Sequence, residues 1–320
     1  MQWVPVVGLV AVLGLLTVLP AQSQTASPAQ KQIPPPPPVY QLYSNGAQVT
    51  LEAAVKELAD ADVVFFGEQH DDRNAHGLEL ALLERLYAQN PHLMLSLEMF
   101  ERDVQGVVDE YLDGYITETH FLQSSRPWPN YKEDYRPLIE FCKEHKLPVV
   151  AANAPRRYVN IVSRKGQTAL LELPKASRVY LAPLPYSMTI PPEYDRQLTE
   201  IFGAAHDTAN SKPAPTPQPG MPDPALLKQA QGLWDSTMAD SIARAARANR
   251  GRQILQVNGA MHSDNMFGIA ARLHALNPRL RIKIVTVRPD AAYPALPSGL
   301  PTGLADIIAV TPPAHKPETP

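Results

Sequence analysis

One cysteine in 320 residues, Cys142, rules out an internal disulfide and leaves stability to the apolar core. It lies in the helical pattern Leu138-Ile139-Glu140-Phe141-Cys142 with no activating base beside it in sequence, so it reads as a packing residue rather than a nucleophile. Excess charge is lacking as well. A formal net charge of −3 and a pI near 6.3 give no electrostatic footprint for nucleic acid or an anionic membrane. The apolar run at residues 4–19 has no lysine or arginine ahead of it, and no cysteine follows it to carry a lipid. It is also short of the ~20 residues that a spanning helix wants.

With 44% hydrophobic residues, the chain can bury a full α/β core plus a subsidiary element. The run at 4–19, followed by Pro20-Ala21-Gln22-Ser23, reads as an export leader within residues 1–30, placing the mature protein in the periplasm or outside the cell. An uncleaved anchor, associating the protein with a membrane through its N-terminus, is the alternative. Residues 31–39 hold five consecutive prolines and read as a polyproline II spacer. Residues 40–310 form the folded domain, and 311–320 a disordered tail.

Within that domain, apolar runs at 62–66, 93–97, 148–152, 179–182, 254–257, 282–287 and 307–310 predict strands. Helical spacing predicts a short helix at 50–59 capped by Thr50, an amphipathic helix at about 74–89 and a long helix from 224 onward. Strands alternating with helices of this length point to a three-layer, doubly wound α/β sandwich around a mainly parallel sheet. Two segments, about 103–141 and 187–249, interrupt the alternation and are expected to form a helical lid. Within the second, the proline-rich stretch at 212–224 reads as a solvated excursion.

Two Gly-x-x-His elements follow predicted strands: Gly67-Glu68-Gln69-His70 and Gly259-Ala260-Met261-His262. A glycine there lets the chain turn sharply, and the histidine then projects from the sheet's carboxyl edge, where open α/β sheets bind ligands. Glu98 follows a third apolar run. His70, Glu98 and His262 together suit zinc or a similar divalent metal with open positions, and Glu68 is placed as a general base if the site hydrolyses. Each element alone occurs often by chance, and a polar cluster capping the sheet is the bland alternative.

Six blocks in order, GEQH (67–70), SLEMFERDVQ (96–105), SSRPWPNYKEDYRPLIEF (124–141), AANAPRR (151–157), QGLWDSTMA (231–239) and NGAMH (258–262), resemble the ChaN-like haem-binding uptake proteins of the Tiki, TraB and erythromycin-esterase-like superfamily. The resemblance runs from about residue 40 to 310. It implies an exported protein binding haem for haem or iron acquisition, with a tyrosine as axial ligand and a dimer enclosing the haems. It equally admits the superfamily's other chemistry, metal-dependent peptide or ester hydrolysis at His70, Glu98 and His262, and does not choose between them.

Haem needs an apolar slot, an axial donor and partners for its propionates. Arg156 follows Pro155 at an expected helix start, a position that attracts carboxylates. The alternative is that Arg156 braces the sheet edge. Asp235 shares a helical face with Gln231 and Met238 and reads as a partner that orients a ligating histidine. Candidate phenolate ligands are Tyr131 and Tyr135, then Tyr158, Tyr186 and Tyr194. Trp234 and Met238 read as core.

Overall fold

The computed structural model describes residues 37–207, 223–295 and 299–313. The export leader, most of the proline spacer, residues 212–222 of the proline-rich stretch and residues 314–320 of the tail lie outside those residues.

The described chain opens with a hairpin, β1 (Gln41–Ser44) and β2 (Ala47–Val49), turned by Asn45 and Gly46 at φ of 49° and 78°. Both residues are left-handed, as the tight hairpin turn requires, and Asn-Gly is the sequence that supplies them most readily. Helix α1 (Leu51–Leu58) follows, its N-terminus capped by Thr50, whose hydroxyl accepts from the Ala53 amide. Then come β3 (Val63–Glu68), α2 (Arg73–Gln89) and β4 (Leu93–Glu101). Helices α3 (Gln105–Leu112), α4 (Glu118–Ser125) and α5 (Arg136–His145) separate β4 from β5 (Val149–Asn153). Helices α6 (Arg156–Lys165), α7 (Lys175–Arg178), α8 (Pro192–Asp207) and α9 (Pro224–Ala248) lead to β6 (Gln253–Gly259). The chain closes with α10 (Gly268–Leu276), β7 (Ile282–Pro289) and β8 (Ile307–Thr311).

The eight strands form one sheet in the order β2-β1-β8-β7-β3-β6-β4-β5, parallel throughout except for the β1–β2 and β1–β8 pairs. Side chains alternate across it. Val64 and Phe66 of β3 pack with α1, α2 and α5, whereas Val63 and Phe65 pack with α9 and α10 on the opposite face. Both phenylalanines are fully enclosed, each contributing roughly 1.5–3 kcal/mol of burial. The result is the three-layer sandwich that the alternation of elements predicted.

The expected strand at 179–182 does not form. That segment is a turn following α7, with the Leu181 amide bonded to the Arg178 carbonyl. The edge of β5 is held instead by one side chain: Gln105 donates to the Val149 carbonyl at 2.8 Å and accepts from the Ala151 amide at 2.7 Å. The amide of Gln105 thus stands where a neighbouring strand's backbone would. A second difference concerns β4, which runs beyond Glu98 to Glu101. Its pairing with β6 ends at Leu97, and its register against β5 shifts between Leu97 and Glu101. Glu98 therefore sits in an irregular stretch within the strand, not at its end.

Candidate functional site

Three neighbouring strands deliver the site. β3 lies beside β6, and β6 beside β4, so the carboxyl ends that carry His70, His262 and Glu98 are adjacent. Two glycines permit the close approach. A Cβ on Gly67 would stand 2.9 Å from the Ala260 Cα, forcing the two strand ends apart. A Cβ on Gly259 would stand 2.8 Å from His70 Nε2 and 3.8 Å from Glu98 Oε2, so both side chains lie over that bare backbone. Glu98 Oε2 accepts from the Gly259 amide at 2.8 Å, and Glu98 Oε1 lies 3.5 Å from His262 Nε2.

Each histidine is fixed by a carboxylate on its other nitrogen. His70 Nδ1 lies 2.6 Å from Glu68 Oε1, and His262 Nδ1 lies 2.6 Å from Asp235 Oδ1. Asp235, fully buried on α9, also accepts from the Tyr194 hydroxyl at 3.0 Å. Both imidazoles thus present Nε2 to the Glu98 side. Burial disfavours the His262 cation, but Glu98 and Asp235 outweigh it and raise its pKa to about 9. His70 is shifted upward more modestly: burial again opposes, while its bond to Glu68 and the field of Glu98 prevail. This arrangement can move protons through two carboxylate-backed histidines, whereas one ligand atom from each of His70, Glu98 and His262 is not brought within 4.8 Å of the other two, as a shared ion would need.

Behind His70 lies a second buried polar group. Tyr135 donates to Glu68 Oε1 at 2.6 Å, and His76 and Glu79 of α2 face the same carboxylate. Burial and the adjacent Glu68 push Glu79 well above the usual carboxylate range. Burial opposes the charge of Glu68 too, yet its bonds to His70 and Glu79 leave it below the ordinary value. Sequence reading missed His76 and Glu79. The signal was present, because both interrupt the buried stripe of Ala75, Leu78 and Leu82 where an amphipathic helix would place apolar side chains.

Two cavities lie one on His70 and the other on its neighbour Trp128. One, of about 460 Å³, is lined by His70, His262, Gln197, Glu200, Ile201 and Arg288 among others. The other, of about 490 Å³, is lined by Met99, Pro127, Trp128, Pro129, Arg126 and Arg156, with Glu101 and Arg157. Trp128 meets His70 edge to face, with ring centroids 4.9 Å apart, so the pair separates the two spaces. Arg126 bonds to Glu101 and Asp103, and Arg157 to Asp103, whereas the Arg156 guanidinium leans over Trp128, 5.8 Å from the ring centroid.

The candidate tyrosines lie elsewhere. Tyr131 is enclosed among Phe100 and Phe121 with its hydroxyl unpartnered, and Tyr135 is turned inward to Glu68; neither lines either cavity. Both sit in or beside the single π-helical turn at Tyr131–Tyr135, which packs its aromatic side chains into the core. Tyr186 donates to the Gln229 carbonyl, and Tyr158 accepts from Arg157. Burial pushes the phenols of Tyr131, Tyr135, Tyr186 and Tyr194 upward, opposing the phenolate that iron ligation needs.

The model for the family described as "Haem-binding uptake, Tiki superfamily, ChaN" matches residues 54–273. Among solved structures, ChaN of Campylobacter jejuni, described with cofacial haem binding, superposes with a TM-score of 0.63 at 17% identity, covering 84% of this chain and 96% of that one. The type III effector HopBA1 superposes with a TM-score of 0.47 at 11% identity over 82% of this chain and 93% of that one. Protein RETICULATA-RELATED 5, chloroplastic, from Arabidopsis thaliana is 23% identical over 250 residues, 74% of this chain. The chain spans only 32% of that protein's length.

Proposed function

Because the chain belongs to the ChaN haem-binding uptake family of the Tiki superfamily, we propose that it binds haem in the cleft beside Trp128, as an exported protein acting in haem or iron acquisition. The observation that carries this reading is the chemistry of that cleft. Trp128, Pro127, Pro129 and Met99 give an apolar wall for a flat macrocycle, and Arg156 over the tryptophan offers a cation to a propionate. The donor set fits the group. Trp128 and the prolines would hold its face and Arg156 a carboxylate, and bound haem would supply iron-centred ligand and redox chemistry. Of the two segments expected to form a lid, about 103–141 and 187–249, the first lines this cleft through Arg126 to Pro129, and the second lines the other cavity through Gln197, Glu200 and Ile201.

A second reading rests on the paired histidines. His70 and His262, each backed by a carboxylate and both directed at Glu98, supply the ligand types of a divalent metal site that activates water for ester or peptide hydrolysis.

One experiment separates the two: hemin absorption titration beside metal analysis of protein purified without chelator. We expect hemin to bind, with Trp128→Ala and Arg156→Ala each weakening it by roughly tenfold, the scale of one lost contact worth about 1.4 kcal/mol. Hemin binding that ignores both substitutions overturns the cleft assignment. No hemin binding, together with a co-purifying metal and cleavage of an ester or peptide, transfers the conclusion to the hydrolase.

A further inference from the structure

We propose that Glu68, His76 and Glu79 form a buried site for a divalent metal ion of the zinc or manganese class, behind His70 and distinct from the His70, Glu98 and His262 set. One donor atom from each of the three side chains lies within 4.8 Å of the others, and all three residues are buried. They rise from rigid elements, Glu68 from the end of β3 and the other two from the first turns of α2.

The site is built, and two of its atoms await a partner. Glu68 Oε2 and Glu79 Oε1 are enclosed and have no hydrogen-bond partner other than each other, which needs a proton on one of the two acids. Two carboxylates set side by side out of water require a cation or a proton between them. Two carboxylates and an imidazole match a dication in charge and in ligand type. The spacing also fits. His76 Nδ1 makes one long hydrogen bond, to Glu79 Oε2 at 3.4 Å, and stands 3.4 Å from Glu79 Oε1 and 3.6 Å from Glu68 Oε2. Ligands bonded at ~2.0–2.1 Å around a tetrahedral centre stand roughly 3.3 Å from one another, so these separations are those of ligand edges.

The atoms facing away from the site are anchored as metal ligands usually are. His76 Nε2 lies 3.3 Å from the His70 carbonyl oxygen and 3.6 Å from Asp134 Oδ2, which fixes the ring and its tautomer. Glu68 Oε1 accepts from Tyr135 and is bonded by His70 Nδ1, both at 2.6 Å. An ion here would therefore hold the carboxylate that orients His70, coupling this site to the His70, Glu98 and His262 set through Glu68. The rival occupant is a proton shared between Glu68 and Glu79. It satisfies the two orphaned oxygens and leaves His76 Nδ1 with only its long bond to Glu79 Oε2.

The test uses full-length protein expressed in zinc- or manganese-supplemented medium and metal content by mass spectrometry. The His70→Ala/His262→Ala variant removes the outer set and is expected to retain about one equivalent of metal and to lose thermal stability on chelation. Adding Glu79→Gln, which keeps the shape and donates to Glu68 as a protonated Glu79 would, is expected to abolish both the metal and the chelator response. Equal metal content with and without Glu79→Gln overturns the proposal. So does a double variant that carries no metal, which assigns the gap to a proton. Should the triple variant not fold, Mn(II) broadening of the His76 ring signals in the His70→Ala/His262→Ala variant decides: broadened supports the site, sharp overturns it. None of these readouts depends on haem.

Discussion

His262 is enclosed yet cationic near neutrality, since Glu98 and Asp235 outweigh the penalty of burying its charge and raise its pKa to about 9. Its ordinary value in an unfolded chain is ~6.5. A group whose folded pKa is raised contributes stability that is fully present below the unfolded value and is lost as pH rises through the folded one. The His262 contribution, on the order of 3 kcal/mol, is therefore expected to be complete below pH ~6.5 and to disappear by about pH 9. Asp235→Asn removes the carboxylate at 2.6 Å, so NMR titration should find the His262 pKa lowered and the alkaline loss of stability diminished. A pKa unchanged by Asp235→Asn would show that Glu98 alone holds the charge. At this scale the sequence was informative but uneven. His70, Glu98 and His262 were legible because each follows an apolar run, and Asp235 because helical spacing faces it inward. His76 and Glu79 left a weaker signal, two polar residues interrupting the apolar stripe of α2, which names no partner until the end of β3 is placed against it.

Strand ends are where sequence and structure agree most closely and also where they part. The apolar runs at 254–257, 282–287 and 307–310 are strands in the structure, as their β-branched content requires. The 179–182 run, Val179-Tyr180-Leu181-Ala182, has a single β-branched residue and turns after α7, while the edge of β5 is bonded by the side chain of Gln105, a long-range fact that no local pattern carries. The β1–β2 hairpin was legible in Asn45-Gly46 and passed over because its flanking strands are short. The juncture of β3 and β6 makes the sharpest prediction for an element. Gly67→Ala places a Cβ 2.9 Å from backbone of Ala260, which cannot rotate aside, so the strand ends must separate. Overpacking of this kind costs ~1–3 kcal/mol, and urea unfolding should register it together with a shift of the His70 and His262 NMR signals. Gly106→Ala on α3, where the added Cβ meets nothing within 4 Å, should be neutral or stabilising. Equal effects from the two substitutions would mean that the close approach at Gly67 does not constrain the site.

For the whole described domain, the alternation of elements carried the three-layer architecture, while the tie that closes its layers came from a single side chain. Arg102, just past β4, reaches α9 and the segment after α7 at once. It donates to the Thr237 carbonyl at 2.7 Å, to Asp240 and Ser241 at 3.0 Å, and to the Leu181 carbonyl at 3.0 Å. Burial lowers its pKa to about 10, against the opposing pull of Asp240, so it stays charged at neutral pH. The same helix α9 carries Asp235 and Gln231 to His262, which makes the Arg102 clamp a condition for the site's geometry as well as for packing. Arg102→Met keeps the bulk and removes five donors' worth of bonding. Asp240 retains Arg244 at 2.8 Å, so the expected loss sits at the low end of a broken buried pair, about 3 kcal/mol. Because α9 packs on β5, α6 and α10 alike, hydrogen exchange should show protection falling throughout the sheet and not only along residues 230–245. Loss confined to α9, with strand protection at its wild-type level, would make the clamp a local fastening and leave the layers held together by apolar burial alone.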